Sequence, residues 1–230
     1  MKNFMLIAHR GIFDNKLVIE NTIPAFQNAL LHNLSIELDV KITKDNKLVV
    51  FHDDNLLRMT GYDKLLQEAN YSEISNLKLL NSNENIPTFN EVLKLINNRV
   101  FLDIEVKNTK RVKETCDLLM KELINYSNYS IKSFNPFIVR FIKKNYPSVR
   151  CGYLISSKYN KRILFLCKSN FFIKYSMCDF LSLDKKLLKK DKFKNLSSKY
   201  PLQVWTIKKK EDVNYIDNVT YICNNLPFIK

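Results

Sequence analysis

Four short segments gather side chains that can move protons, hold a cation and grip phosphate. They are Ile7-Ala8-His9-Arg10-Gly11, Glu37-Leu38-Asp39-Val40, Phe51-His52-Asp53-Asp54 and Glu105-Val106-Lys107. An imidazole titrates near neutral pH and serves as acid or base. Grouped carboxylates offer hard oxygen ligands to a divalent cation. A planar guanidinium can meet two phosphate oxygens at once. Together these groups imply hydrolysis of a phosphate ester.

The elements that must position them show alternation. Over 35–42, Ile36, Leu38, Val40 and Ile42 share one face, and Glu37, Asp39 and Lys41 share the other. In a parallel barrel the apolar set packs on outer helices and the acids point inward. Two close carboxylates in a dry interior repel each other, and a cation at the C-terminal mouth relieves the repulsion. A hairpin with one solvated face would also alternate. Strand 100–106 repeats the pattern independently, with Leu102, Ile104 and Val106 opposed to Asp103, Glu105 and Lys107. That repetition favours the barrel. Glu37, Asp39 and Glu105 form the candidate ligand set, and Asp103 lies one layer deeper as a hydrogen-bonded core polar group. A lone histidine at a strand end is usually structural, but His9 and His52 both end apolar runs beside these acids. His32, in the last turn of the first helix, reads as structural or surface. Arg10 follows His9 directly, and Gly11 allows a sharp turn at the mouth.

Candidate strands are 4–9, 35–42, 47–51, 100–106, 129–134, 150–155, 179–183, 202–206 and 219–223. Candidate helices are 22–33, 89–97, 109–125, 136–145, 160–169, 186–198 and 210–217. Lys44-Asp45-Asn46-Lys47 joins 35–42 to 47–51 as a hairpin. Counting that hairpin once leaves eight strands, as in a single-domain α/β (β/α)8 barrel spanning 1–230 with the last helix missing or vestigial. Asn21 or Thr22 is expected to cap the first helix, with Pro24 in its first turn. Thr88 and Glu91 form a capping box.

Composition sets outer bounds. The chain has 230 residues, 46% of them hydrophobic, enough for a large core and too many for a disordered chain. Lys plus Arg is 37 against 23 acids, a net charge of +14, which favours anionic partners. A Lys-, Asn- and Ile-rich chain acquires much of that charge from composition alone. The five cysteines have no CxxC spacing, so they read as reduced, mostly buried thiols. No GxGxxG or GxxxxGK exists, which excludes nucleotide cradling by those motifs. The apolar N-terminus is too short for a signal segment, and 162–177 is broken by Lys168 and Lys174. A cytoplasmic protein is expected. No nucleic-acid motif stands out.

At these residues the chain resembles the glycerophosphodiester phosphodiesterase family. The resemblance runs through His9-Arg10-Gly11, Glu20-Asn21-Thr22, Glu37-Leu38-Asp39-Val40, Phe51-His52-Asp53-Asp54, Arg58-Met59-Thr60-Gly61, Ile86-Pro87-Thr88, Ile104-Glu105-Val106-Lys107, Ser133-Phe134-Asn135 and Val204-Trp205-Thr206. It implies a TIM barrel that cleaves glycerophosphodiesters to glycerol 3-phosphate and an alcohol. It further implies His9 and His52 as the acid/base pair, and Glu37, Asp39 and Glu105 as ligands of one Mg²⁺ or Ca²⁺ ion. Arg10 and Lys107 would hold phosphate, and Trp205, which by itself would read as core, would wall the glycerol side. The last strand departs from the family pattern at Ile222-Cys223-Asn224-Asn225-Leu226-Pro227, where Asn224 can keep a polar contact. The expected partner is a small glycerophosphodiester, with peripheral contact to an anionic membrane through 162–177 as an accessory expectation. Two alternatives remain at this stage: a phospholipase-type phosphodiesterase acting on lipids or lysolipids at a membrane, and a non-catalytic barrel that binds anionic polymers.

Overall fold

The computed structural model describes residues 5–168, 170–189, 195–212 and 219–224. Within them the strands are β1 (Leu6–His9), β2 (Ser35–Ile42), β3 (Leu48–Val50), β4 (Leu102–Val106), β5 (Tyr129–Ser133), β6 (Cys151–Ile155), β7 (Phe180–Asp184), β8 (Leu202–Ile207) and β9 (Val219–Cys223). Neighbouring strands pair in the order β1-β9-β8-β7-β6-β5-β4-β2, and β1 also pairs with β2, so eight parallel strands close a barrel. β3 stands outside the ring, antiparallel to β2, with Val40 opposite Val50. The hairpin and the eight-strand barrel expected from the sequence are both present.

The alternation explains the closure. Ile36, Leu38, Val40, Leu102, Ile104 and Val106 face outward and are buried against the helical layer. That layer includes α1 (Ile23–Leu31), α4 (Phe89–Ile96), α5 (Val112–Glu122) and α6 (Pro136–Asn145); the short α2 (Leu57–Thr60) and α3 (Tyr71–Ile74) lie between α1 and α4 in the chain. Phe26, Val92, Ile96, Leu119, Ile138 and Ile142 supply its buried face. The intervening positions of the strands point inward and include buried polar groups: Glu37, Asp39, Asp103, Ser130, Lys132, Ser182 and Gln203. Lys132 donates to Asp103 at 2.7 Å and Ser130 donates to its other oxygen at 2.6 Å. Asp103 is therefore the hydrogen-bonded core group expected of the deeper layer. Beside Lys132 in the sheet, Gly152 leaves room for the Phe180 ring; a Cβ there would lie 2.2 Å from a ring carbon.

A second apolar cluster, including Ile19, Val49, Phe51, Leu56, Met59 and Ile86, packs behind β3. It anchors the segment that carries His52 to the barrel wall. α4 begins at Thr88 with the expected capping box to Glu91.

Several local expectations are corrected. Thr22 occupies the N-cap of α1, yet its hydroxyl donates to the Ile19 carbonyl, and the Asn21 amide goes to Asp39. Neither side chain caps the helix; Pro24 stands in the first turn as expected. The 160–169 helix ends at Lys168 as α7 (Lys161–Lys168), and a second helix, α8 (Phe171–Ser176), starts after Asn170 in a left-handed conformation. Of the helix expected over 186–198, the described residues form 3-10 turns at Lys185–Lys189 and Asn195–Ser198, and 190–194 lie outside the described residues. The 210–217 helix begins as a 3-10 turn at Lys210–Asp212, and 213–218 lie outside the described residues. So do residues after 224, and with them the expected loss of the last helix. Among the described residues no helix is long and apolar enough to cross a membrane.

Candidate active site

Parallel strands bring all their C-terminal ends to one rim. His9 is the last residue of β1, Lys107 follows β4, Asp184 ends β7, and Asn224 follows β9. The register aligns the rest. His9 sits beside Glu37, Asp39 beside Glu105, and Glu105 beside Lys132. Three carboxylates thereby converge: one oxygen from each of Glu37, Asp39 and Glu105 lies within 4.8 Å of the other two. All three are buried.

Cations surround them. Lys107 Nζ donates to Glu105 at 2.6 Å and to Asp39 at 3.3 Å. Arg10 Nε lies 3.1 Å from Asp39, and Lys132 Nζ lies 3.3 Å from Glu37. The three acids respond differently to one shared environment. Burial, together with the nearby Asp39 and Glu105 charges, pushes Glu37 up to about 8 although Lys132 opposes it. Burial acts against Asp39 as well, but Lys107 and Arg10 outweigh it and hold its carboxyl well below the usual range. A trio in which one member resists ionisation is short of positive charge. Hard oxygens, close spacing and this residual repulsion fit a divalent cation.

The two imidazoles are held differently. His9 Nδ1 donates to the Asn224 side-chain oxygen, which leaves Nε2 directed inward, 3.9 Å from Glu37. Burial first, then the Arg10 charge, lowers the pKa of His9 well below 6.5 and keeps the ring neutral. His52 Nδ1 donates to Asp53 at 2.6 Å. Arg58 clamps Asp53 through Nε and Nη2, and burial notwithstanding, Arg58 and His52 bring the Asp53 carboxyl down to about 2. Arg58 and Arg10 meet on one oxygen of Glu20, at 2.8 and 2.9 Å. Glu20 thus ties the two arginines together.

The chain turns sharply between His9 and α1. Arg10 adopts φ 56° and Gly11 φ 83°, both left-handed. That turn aims the Arg10 amide at Glu37, 3.2 Å away. A Cβ on Gly11 would lie 2.7 Å from the Ala25 carbonyl, so a larger residue is excluded by space as well as by conformation.

A cavity of about 230 Å³ opens over these groups, lined by His9, His52, Glu105, Lys107, Lys158 and Trp205 among others. Trp205 is half-buried and meets Phe134 edge-on at 5.6 Å. All eight residues singled out from the sequence therefore gather at one rim, with Arg10, Glu37, Glu105 and Lys107 also lining the cavity and Asp39 just beneath through its contacts to Arg10 and Lys107. Glu20, Asp53 and Arg58 belonged to recognisable motifs but had no assigned role. Lys132 was overlooked, although its inward position on β5 is readable from the alternation of Ile131 and Ser133 around it.

The fold and rim have relatives. The model of the glycerophosphoryl diester phosphodiesterase family matches residues 9–222. A glycerophosphodiester phosphodiesterase of Caldanaerobacter subterraneus subsp. tengcongensis is 37% identical over 162 residues, which is 65% of this chain and 66% of the relative. The match thus spans just under two thirds of that relative's length. Among solved structures, an Oleispira antarctica phosphodiesterase in complex with its product sn-glycerol-3-phosphate superposes with TM-score 0.80 at 22% identity, covering 96% of this chain and 93% of that one. A glycerophosphodiester phosphodiesterase from Thermotoga maritima gives 0.76 at 24% identity, covering 98% and 96%. Because the family match begins at His9 and runs into β9, covering most of the chain and the strands that carry Glu37, Asp39 and Glu105, the chain belongs to the glycerophosphoryl diester phosphodiesterase family.

Proposed function

We propose that the chain hydrolyses glycerophosphodiesters to glycerol 3-phosphate and an alcohol. The observation that carries this reading is the convergence of Glu37, Asp39 and Glu105 from two strands, flanked by His9 and His52. Family membership supports it.

Glu37, Asp39 and Glu105 would hold one divalent cation, Mg²⁺ or Ca²⁺, whose contribution when bound is Lewis-acid polarisation of a phosphoryl oxygen. The chain's own groups do the rest. Arg10 and Lys107 present positive charge to the phosphate and to the charge that develops on it. His9 is neutral, with Nε2 free to accept, so it takes the proton of the attacking oxygen. His52, anchored through Nδ1 to Asp53, gives a proton to the leaving oxygen. The attacker is water or the substrate's own glycerol 2-hydroxyl; both routes end in the same products. Trp205 and Phe134 wall one side of the cavity and exclude water there.

The test is incubation of purified protein with glycerophosphocholine, with released glycerol 3-phosphate measured enzymatically. Release that stops in chelator supports the reading. Tight binding of the diester without any release would favour a non-catalytic barrel instead.

A further inference from the structure

The two imidazoles differ in how firmly the barrel holds them. The His9 side chain is 14% exposed, and Asn224 at the end of a neighbouring strand fixes its ring. The His52 side chain is 35% exposed, and its loop follows β3, which stands outside the ring of strands. Its ring bonds Asp53, the next residue in the chain, so that bond alone anchors neither of them. Arg58 supplies the anchor. Its Nε and Nη2 take both oxygens of Asp53, and Nη2 also reaches Glu20 at 2.8 Å. Glu20 is buried, but Arg10, Asn15 and Arg58 outweigh the burial and hold its carboxyl below the usual range. One of its oxygens is shared by Arg58 and Arg10, and the other accepts from Asn15 at 2.9 Å. A single row therefore runs His52–Asp53–Arg58–Glu20–Arg10. One apolar cluster seats it, because the buried Ile19, Phe51 and Met59 directly adjoin Glu20, His52 and Arg58. Glu20, Asp53 and Arg58 do not line the cavity. They act on the reaction only through His52 and Arg10.

We infer that Arg58 and Glu20 are positioning residues for the reaction: Arg58 orients Asp53, and through it the His52 ring, toward the leaving oxygen, while Glu20 ties Arg58 to Arg10 so that proton donor and phosphate holder keep one spacing. The inference rests on the phosphodiesterase reading of the rim, with His52 as the group that protonates the leaving oxygen. Half-exposed ion pairs such as those of Arg58 add little to stability. Both ends of this row stop at groups of the reaction, which a row serving stability alone does not require. A planar fork suits the task because it can grip one carboxylate with two donors and still reach a second. In the step concerned, an oxygen attacks phosphorus and the bond from phosphorus to the alcohol oxygen breaks. The proton on His52 passes to that oxygen. An acid displaced by about 1 Å from this line loses much of its effect.

The experiment compares kcat/KM for glycerophosphocholine with kcat/KM for the p-nitrophenyl ester of glycerol 3-phosphate. Choline needs a proton as it leaves, whereas p-nitrophenolate departs as a stable anion. Arg58→Ala should lower the first value by about 10–10²-fold and the second by less than about three-fold. His52→Ala, which removes the acid itself, should show the same selectivity more strongly. Glu20→Gln should show it more weakly, and in the Arg58→Ala background it should add no selective loss, because the row is already broken. Circular dichroism checks each fold; should Arg58→Ala misfold, the selectivity of Glu20→Gln decides. Equal losses on both diesters in the folded variants, or turnover like wild type, overturn the positioning role while the diesterase reading stands. A further selective loss in the double variant overturns the row as one unit. Equal losses in His52→Ala remove that ring as proton donor and the inference with it. If wild type turns over neither diester, the reading of the rim itself has failed, and the inference falls with it.

Discussion

Asp39 and Glu105 are register partners on β2 and β4, and their carboxylates share the Lys107 ammonium at 3.3 and 2.6 Å. Parallel pairing puts two acids side by side at the rim, and Glu37, two residues before Asp39 on the same face of β2, completes the trio. The chemistry proposed here follows from that adjacency. Acids placed in this way need positive charge, and the strand ends around them supply Arg10, Lys107 and Lys132.

If His9 and His52 pass the protons, each should be needed separately. His9→Ala and His52→Ala are each expected to lower kcat by about 10²–10⁴-fold with the fold intact. Steady-state turnover of glycerophosphocholine, with circular dichroism as the control for folding, checks this. Near wild-type kcat in either variant would refute the role of that ring.

The state of His9 sets a pH dependence. Its pKa is lowered by burial and by Arg10, so as pH falls the ring stays unprotonated through 6.5 and gains its proton only further down. A base of this kind loses activity on the acid side below its pKa. The acid limb of kcat/KM, which reports the free enzyme, should therefore bend below pH 6.5. A bend at or above that value contradicts the assignment of His9 as base.

Lys132 serves the barrel as well as the rim. It is buried between Asp103 and Glu37. Lys132→Met leaves the Asp103 charge buried with only Ser130 to bond it, at a cost of about 3–5 kcal/mol in urea unfolding. Asp103→Asn in the same chain should recover much of the loss. Burial opposes the lysine's charge, but Asp103 and Glu37 raise its pKa above 10.5. Its contribution is accordingly complete below pH 10.5 and is lost as pH rises through the raised value. A Lys132→Met variant as stable as wild type at pH 7 would show that the pair contributes nothing.

Much of this was legible because the barrel separates residue types cleanly. Over 35–42 and 100–106 the apolar set faces helices and the acids face the interior, so period-two alternation gave both the strands and the ligand set. The helix expected over 136–145 is α6, which starts where the Asn135 side chain accepts the Phe137 amide. Short elements were not legible. α2 and α3 are four residues each and are held by the cluster behind β3 rather than by their own periodicity. The Lys- and Leu-bearing stretch after β7 reads as a helix by pattern, but its described residues form 3-10 turns. The Glu20–Arg58–Asp53 network was hidden for a different reason. Glu20 and Arg58 are 38 residues apart, and only the folded rim makes them partners.

The central claim is that Glu37, Asp39 and Glu105 act together on one cation during diester hydrolysis. Its most direct test is to strip the protein with chelator and titrate back Mg²⁺ or Ca²⁺ while following glycerol 3-phosphate release, in wild type and in Glu105→Gln. Activity should rise from background along a single-site curve in wild type and stay at least about 10²-fold lower in the variant. Full activity in chelator, or a variant that follows the wild-type curve, would contradict the account.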